Sequence, residues 1–331
     1  MISDMERGKR KPGHYRPWLC DLYGKTAAEL GIEDPAPTTS AEPLPELDTL
    51  IGRATSVDLT SVAAFQQQVD AFRLLDRQLG SPTVVDPTSQ LVTTINDLMV
   101  HVIDGRTRSA LAAVLSDAAA LNAWQLLNGG EPQKAWRLHA LARTAGMESG
   151  EINLLTHAIG EQVYDLIDID RTADALTLAQ AARAEGGTKV SPVLRAWLHA
   201  VEAEAYANVG DDHACRKQLE LAESVLPDDP DVEETPYISL NRWHLDRWRG
   251  NVLSKLGDSA ALESLLTAVE STPAAFVRAA SSLHCDIAQS YAARGENVLS
   301  MRHVTKARTL ARQTGSIRQL RRIETVSRRL A

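Results

Sequence analysis

Aromatic side chains are scarce in this chain: three Phe, six Tyr and six Trp supply 5% of 331 residues. β-Sandwiches and barrels build their cores largely from aromatic and β-branched residues. A chain dominated by Ala and Leu is better suited to helices packed through small side chains. Cysteine is scarcer still. Cys20, Cys215 and Cys285 are far apart and odd in number, and none sits in a CxxC pair. His284 adjoins Cys285, but adjacent helical residues point about 100° apart and cannot readily clasp one ion. Reduced, partly buried thiols are expected. No uninterrupted apolar run approaches the roughly 18 residues of a membrane span. The basic N-terminus has no apolar stretch behind it, so it does not read as a signal peptide. The expected location is cytoplasmic, with no membrane contact. Catalytic signatures are missing as well: there is no GxSxG, HExxH, GxxxxGK[ST], or GxGxxG after a strand. Gly129-Gly130 and Gly186-Gly187 read as turns between helices, and the nine histidines are dispersed along helix faces. The chain is expected to be no enzyme, with no cofactor and no metal site.

Charge is unevenly spread. Residues 1–31 carry +2 and residues 302–331 carry +8, so with a total of −8 the intervening body carries −18. An acidic body between basic ends excludes general coating of nucleic acid by the body and puts any phosphate contact at the termini.

At this length a substantial core can be buried, and the stretch Trp197–Pro227 shows how. WLHAVEAEAYANVGDDHACRKQLELAESVLP reads as two amphipathic helices joined at Gly210-Asp211. Small residues at Ala203, Cys215 and Ala222 allow close antiparallel approach, Tyr206 fills the space between, and Pro227 stops the second helix. The spacing recurs: Ala123, Leu126, Gly130, Ala135 and Ala142; Gly250, Leu253 and Gly257; Ala288, Tyr291, Gly295, Ser300 and Ala307. A weaker copy has Val163, Leu166, Ala175 and Ala182, with Asp170 in the glycine place. The turn positions fall at 130, 170, 210, 257 and 295. This pattern resembles the tetratricopeptide (TPR) consensus, which implies an all-α, TPR-like α-solenoid of stacked hairpins.

The N-terminal string Glu6-Arg7-Gly8-Lys9-Arg10-Lys11-Pro12, then Leu19, Leu22-Tyr23-Gly24 and Glu29-Leu30-Gly31, resembles the second half of a Cro/C1-type (XRE family) helix-turn-helix domain. A helix is expected from about Pro12 to Tyr23, closing at Gly24, with Thr26 and Glu29 as a small capping box. The resemblance implies phosphate contacts by Arg7, Lys9, Arg10 and Lys11, with Ser3 near base edges. The helices that precede this segment in the family would fall before Ile2. Three alternatives stand: a start further upstream, a real loss of the DNA-reading unit, or completion by a partner. DNA is thus an expected partner only where the domain is completed.

The expected organisation is a partial helix-turn-helix segment at 1–33, a linker at 34–48 holding Pro35, Pro37, Pro43 and Pro45, capping helices at 49–108, repeats at 109–314 and a basic capping helix at 315–331. Within the first cap, Val62, Phe65, Val69, Phe72 and Leu75–Leu79 form an apolar stripe. A second helix is expected over Thr88–Ile103, started by Asp86 as cap and Pro87. The last helix, Ile317–Leu330, sets an apolar face against Arg318, Arg321, Arg322, Arg328 and Arg329, which reads as a solenoid cap with its polar face in water; contact with the acidic body of a second subunit and phosphate contacts beside a DNA-reading domain are the alternatives.

In the TPR register the first helix of each hairpin lines the concave wall, at positions two, five, nine and twelve. This places Trp124, His157, Tyr164, Trp197, Glu204, His244, Arg247, Asn251 and Gln289 in a ligand or peptide groove. Arg247 and Asn251 are i, i+4 and share a face; a guanidinium fork suits a carboxylate, and an amide can clamp a peptide group. The resemblance implies a transcriptional regulator, a homodimer whose solenoid senses a peptide or small-molecule effector spanning several repeats. The alternative is a stand-alone TPR protein-interaction module without DNA binding.

Overall fold

The structure is a computed structural model of the chain and describes residues 15–32, 49, 52, 57–228, 237–238, 240–258, 260–272 and 276–330. The chain divides into two units, Met1–Gly52 and Arg53–Ala331. In the first, helix α1 (Arg16–Tyr23) places Pro17 in the first turn, where a missing N–H costs nothing, and ends at Gly24 with φ 61°. It starts later than the sequence suggests. After it, the Thr26 N–H donates to Glu29 Oε2 at 2.8 Å and the Glu29 N–H donates to Thr26 Oγ1 at 3.3 Å, the reciprocal pair of a capping box. Ser3, Arg7, Lys9, Arg10 and Lys11 and the linker 34–48 lie outside the described residues.

The second unit is an all-α solenoid, and no strand occurs among the described residues. A capping pair comes first, α2 (Leu59–Leu79) and α3 (Val85–Met99), bridged by a 3-10 turn at Ser81–Thr83. Five hairpins follow: α4 (Gly105–Asn128) with α5 (Pro132–Ser149), α6 (Ile152–Asp168) with α7 (Thr172–Gly186), α8 (Pro192–Val209) with α9 (Asp212–Val225), α10 (Arg242–Lys255) with α11 (Ala261–Glu270), and α12 (Val277–Ala293) with α13 (Asn297–Gln313). Helix α14 (Ile317–Leu330) ends the array. Side-chain caps set several starts: Asp58, Asp104, Asp211 and Asn241 each accept a backbone N–H from the first turn of their helix. All five turn positions read from the repeat have left-handed backbone, with φ of 79° at Gly130, 59° at Asp170, 81° at Gly210, 75° at Gly257 and 74° at Gly295. Glycine takes that conformation freely, and aspartate is among the few other residues that tolerate it.

Small residues hold the layers together. Ala118, Ala119, Ala123, Ala135, Ala142 and Ala158 are fully buried where α4, α5 and α6 meet, and Ala203, Cys215 and Ala222 do the same between α8 and α9. Burial pushes the Cys215 and Cys285 thiols up to about 11, which leaves them unreactive. Helix α4 is long and apolar enough by length and composition to cross a membrane, contrary to the impression given by its interrupted apolar run. Here it is a core helix, with 78% of its most apolar window buried inside the protein, and α2, α3, α5, α6 and α14 pack around it.

The first helices of successive hairpins touch one another in the order α4, α6, α8, α10, α12, α14, and the second helices lie outside them. The array does not stay open. Helix α14 packs back on α4, and α12 packs on α2. Arg278 of α12 donates to Asp76 of α2 at 2.5 Å, Arg318 of α14 to Asp168 of α6 at 2.7 Å, and Arg321 to the Gly130 carbonyl at 3.4 Å. A β-carbon at Gly80 would run into the Thr314 carbonyl oxygen, and one at Gly315 into Pro82. One turn of solenoid thus closes into a ring.

Closure corrects three expectations at the ends. In α2 the stripe does not run to Leu79, which is 52% exposed; Arg73 and Asp76 are the buried residues there, because Arg73 meets Asp117 on the adjoining α4 and Asp76 meets Arg278 across the closure. Helix α3 begins at Val85, so Asp86 lies in the first turn instead of capping it, and the helix stops at Met99, short of Ile103. On α14 the arginines do not share one solvated face: Arg318, Arg321 and Arg322 turn inward, where carboxylates and a carbonyl await them.

Candidate functional site

The inner helices enclose a cavity of about 690 Å³. Its wall comes from α2, α4, α6, α8, α10, α12 and α14, with Asp170, Tyr237 and Ile238 added at the edge; none of α5, α7, α9, α11 or α13 reaches it. Of the nine residues assigned to the groove, Trp124, His157, Tyr164, Trp197, Glu204, Arg247 and Asn251 line this cavity. His244 and Gln289 do not. The Asn241 side chain that caps α10 also holds the His244 ring, at 2.8 Å, and burial with Arg247 and Arg77 nearby lowers the His244 pKa to about 3.

The wall takes in most of the two-five-nine-twelve positions, Asp117, Ala120, Trp124, His157, Tyr164 and Ile167 among them, and adds residues four places along the same helix faces. Examples are Glu161 after His157 and Asp168 after Tyr164 on α6, Asn208 after Glu204 on α8, Lys255 after Asn251 on α10, and Arg278 and Asp286 either side of Ser282 on α12. Gly160 is not open wall. It lies under Trp197, and a β-carbon there would collide with the indole, so this glycine is what lets Trp197 seat.

One side of the cavity is aromatic. Trp124 and Tyr164 meet edge to face with ring centres 5.8 Å apart. His157 lies 5.3 Å from Trp197 and 4.5 Å from Tyr237. Arginines cover the rim of this wall: Arg318 stands 5.4 Å from the Trp124 ring centre and 5.8 Å from that of Tyr164, with Arg278 6.0 Å from Trp124.

The remaining wall is a set of ion pairs. Arg73 bonds Asp117, Lys255 bonds Glu204 at 2.6 Å, Arg278 bonds Asp76 at 2.5 Å, Arg318 bonds Asp168 at 2.7 Å and Arg322 bonds Asp286 at 2.5 Å. Burial alone would raise the Glu204 pKa, but Lys255, Arg318 and Arg322 hold it below the usual carboxylate value. Arg322 stays firmly charged against its burial because Asp286 faces it. Arg247 is different. Its guanidinium rests 5.9 Å from the Trp243 ring centre and makes no hydrogen bond or ion pair among the described residues; the Asn251 amide makes none either. Withdrawal from water lowers the Arg247 pKa, with Arg278 adding to the effect and Asp286 and Glu204 opposing it. Neither Asp246 nor Glu204 takes Arg247 as a partner, since Lys255 has claimed Glu204.

Sequence reasoning missed Arg73, Glu161, Lys255, Arg278, Arg318 and Arg322 as wall residues. Lys255 stands four places beyond Asn251, and Arg278 and Asp286 stand four places either side of Ser282, so an i, i+4 row would have found those three.

No protein-family model matches the chain, and no curated protein matches it. Among solved structures, the chain is similar to a Podospora anserina protein described as a kinesin light chain with nearly identical TPR-like repeats. The identity is 14%, the TM-score 0.38, and the match covers 60% of this chain and 95% of that one. So low a score leaves the fold to rest on the hairpins described above.

Proposed function

We propose that the chain is a non-catalytic binding module whose closed solenoid holds a compact guest in its central cavity. The observation that supports this is an Arg247–Asn251 pair that has no hydrogen-bond or ion-pair partner among the described residues, on a cavity of about 690 Å³ that Trp124, Tyr164 and Trp197 also line, a volume typical of small-ligand pockets. Ring closure favours a short guest over a peptide laid along an open trough. In the fuller reading the module belongs to a homodimeric regulator of the Cro/C1–TPR kind, cytoplasmic, with Arg7, Lys9, Arg10 and Lys11 on DNA phosphates; that part rests on the N-terminal resemblance alone. The stand-alone interaction module shares the same cavity and needs no DNA.

The test is a thermal-shift screen of small organic anions, cations and dipeptides against the full chain and against Ala279→Trp. Ala279 lies on the cavity wall, so the indole occupies guest space. A cavity guest raises the melting temperature of the native chain in proportion to the logarithm of its concentration and leaves the variant unmoved. Guests that stabilise both proteins equally, or no guest at all, would overturn the reading.

A further inference from the structure

A guanidinium withdrawn from water without a counter-ion is costly to hold, and folded proteins rarely leave one so. Around Arg247 every near carboxylate is spoken for: Glu204 by Lys255, Asp286 by Arg322, Asp76 by Arg278. Among the described residues the chain therefore sets a half-buried positive charge on the cavity wall and supplies no ion-pair partner for it. Beside it on the same helix face, Asn251 offers an amide with free donors and acceptor. The rings of Trp124, Tyr164 and Trp197 line the same cavity, Tyr164 and Trp197 each only 5% exposed.

We propose that the guest is a compact aromatic carboxylate, its carboxylate paired with Arg247 and bonded by Asn251, its ring laid on the aromatic wall. This rests on the cavity being a ligand site. Among the described cavity residues Lys255, Arg278, Arg318 and Arg322 are paired with carboxylates and Arg321 with the Gly130 carbonyl, so Arg247 offers one charge to one negative charge, and a phosphate dianion asks for a second. The nearby Glu204 and Asp286 carboxylates repel a dianion further. Flat walls favour a flat ring, because offset and edge contacts between rings add to plain apolar burial. An aliphatic acid lacks that contribution, and an aromatic amine would meet the same free cation unfavourably.

The test is calorimetric titration of the full chain with indole-3-acetate, its neutral isostere indole-3-acetamide, and acetate. Indole-3-acetate is expected to bind at least about tenfold more tightly than the amide, as a charge-assisted pair in a shielded site requires, and acetate alone is expected to give no heat. Arg247→Met should bring indole-3-acetate down to the level of the amide. It should also raise the melting temperature of the unliganded chain, since it removes an uncompensated charge. Asn251→Ala, which leaves the charge in place, serves as the second variant and should narrow the acetate-over-amide preference. Equal binding of acid and amide would overturn the carboxylate, and equal binding of acetate would overturn the ring. If acid and amide bind equally and both fail on Ala279→Trp, the cavity still holds guests and only the chemical class falls. An unchanged indole-3-acetate affinity in Arg247→Met would reject the pairing outright.

Discussion

The joints between successive hairpins and the seam that closes the ring solve the same packing problem with different proportions of apolar and charged contact. At a joint such as α6 against α8, Leu194, Leu198 and Ala200 are essentially unexposed, and Gly160 and Gly186 let backbone and side chain come close. Ion pairs occur at joints too, Arg183–Glu202 beside this one and Lys255–Glu204 at the next, but they flank an extended apolar cluster. At the seam, α2 and α4 meet α12 and α14 through Arg278–Asp76, Arg321 on the Gly130 carbonyl, and the tight fit of Gly80 and Gly315 to Thr314 and Pro82, with Arg318–Asp168 just beside it. Apolar burial is indifferent to salt and to direction. Ion pairs are weaker on balance, and their strength depends on geometry and on the medium. The joints hold the fold, and the seam sets its register.

The largest effect should come from a joint. Leu198→Ala empties a fully buried position and is expected to cost about 3 kcal/mol of unfolding free energy, read as a lower urea midpoint, with little change between low and high salt. A loss below about 1 kcal/mol would mean the joint collapses around the gap and is less tightly packed than described. A seam substitution should do less. Arg318→Gln removes a pair whose side chains are 13% and 19% exposed and should cost on the order of 1 kcal/mol at low ionic strength. Part of that difference should vanish in molar salt. Should the cost be salt-independent, the seam is held by packing and the contrast with the joints fails. The smallest effect sharpens the comparison from the other side. Asp170 is the single non-glycine residue with positive φ among those described, so the turn inside the α6–α7 hairpin carries a small backbone strain. Asp170→Gly should stabilise the chain by roughly 0.5 kcal/mol, seen as a slightly higher melting temperature; a loss would show that the carboxylate at the cavity edge matters more than the backbone.

Much of the architecture is legible in the chain because its signals are local. A left-handed turn needs glycine or a tolerant substitute, so 130, 170, 210, 257 and 295 announce themselves at fixed distances from small residues such as Ala123 and Ala203. Trp124, Tyr164, Trp197, Arg247 and Asn251 can be placed on the inner wall for the same reason: each sits on a first helix at a computable rotation. What is not local is not legible. Arg73 and Asp76 look like interruptions in an apolar stripe until Asp117 and Arg278 are brought to them from 44 and 202 residues away. The arginines of α14 look like a solvated face for the same reason. His244 and Gln289 come from the same register as the seven residues that do line the cavity, and the closed ring leaves these two off its wall.

The seam also fixes an integer. An open solenoid can gain or lose a hairpin and remain a solenoid, because each unit knows only its neighbours. Here a duplicated or deleted hairpin would carry Thr314 away from Gly80 and Arg278 away from Asp76, so arithmetic as well as chemistry constrains this gene's capacity to lengthen. The number of hairpins is in that sense part of the cavity's geometry, though no hairpin count could be mutated one residue at a time.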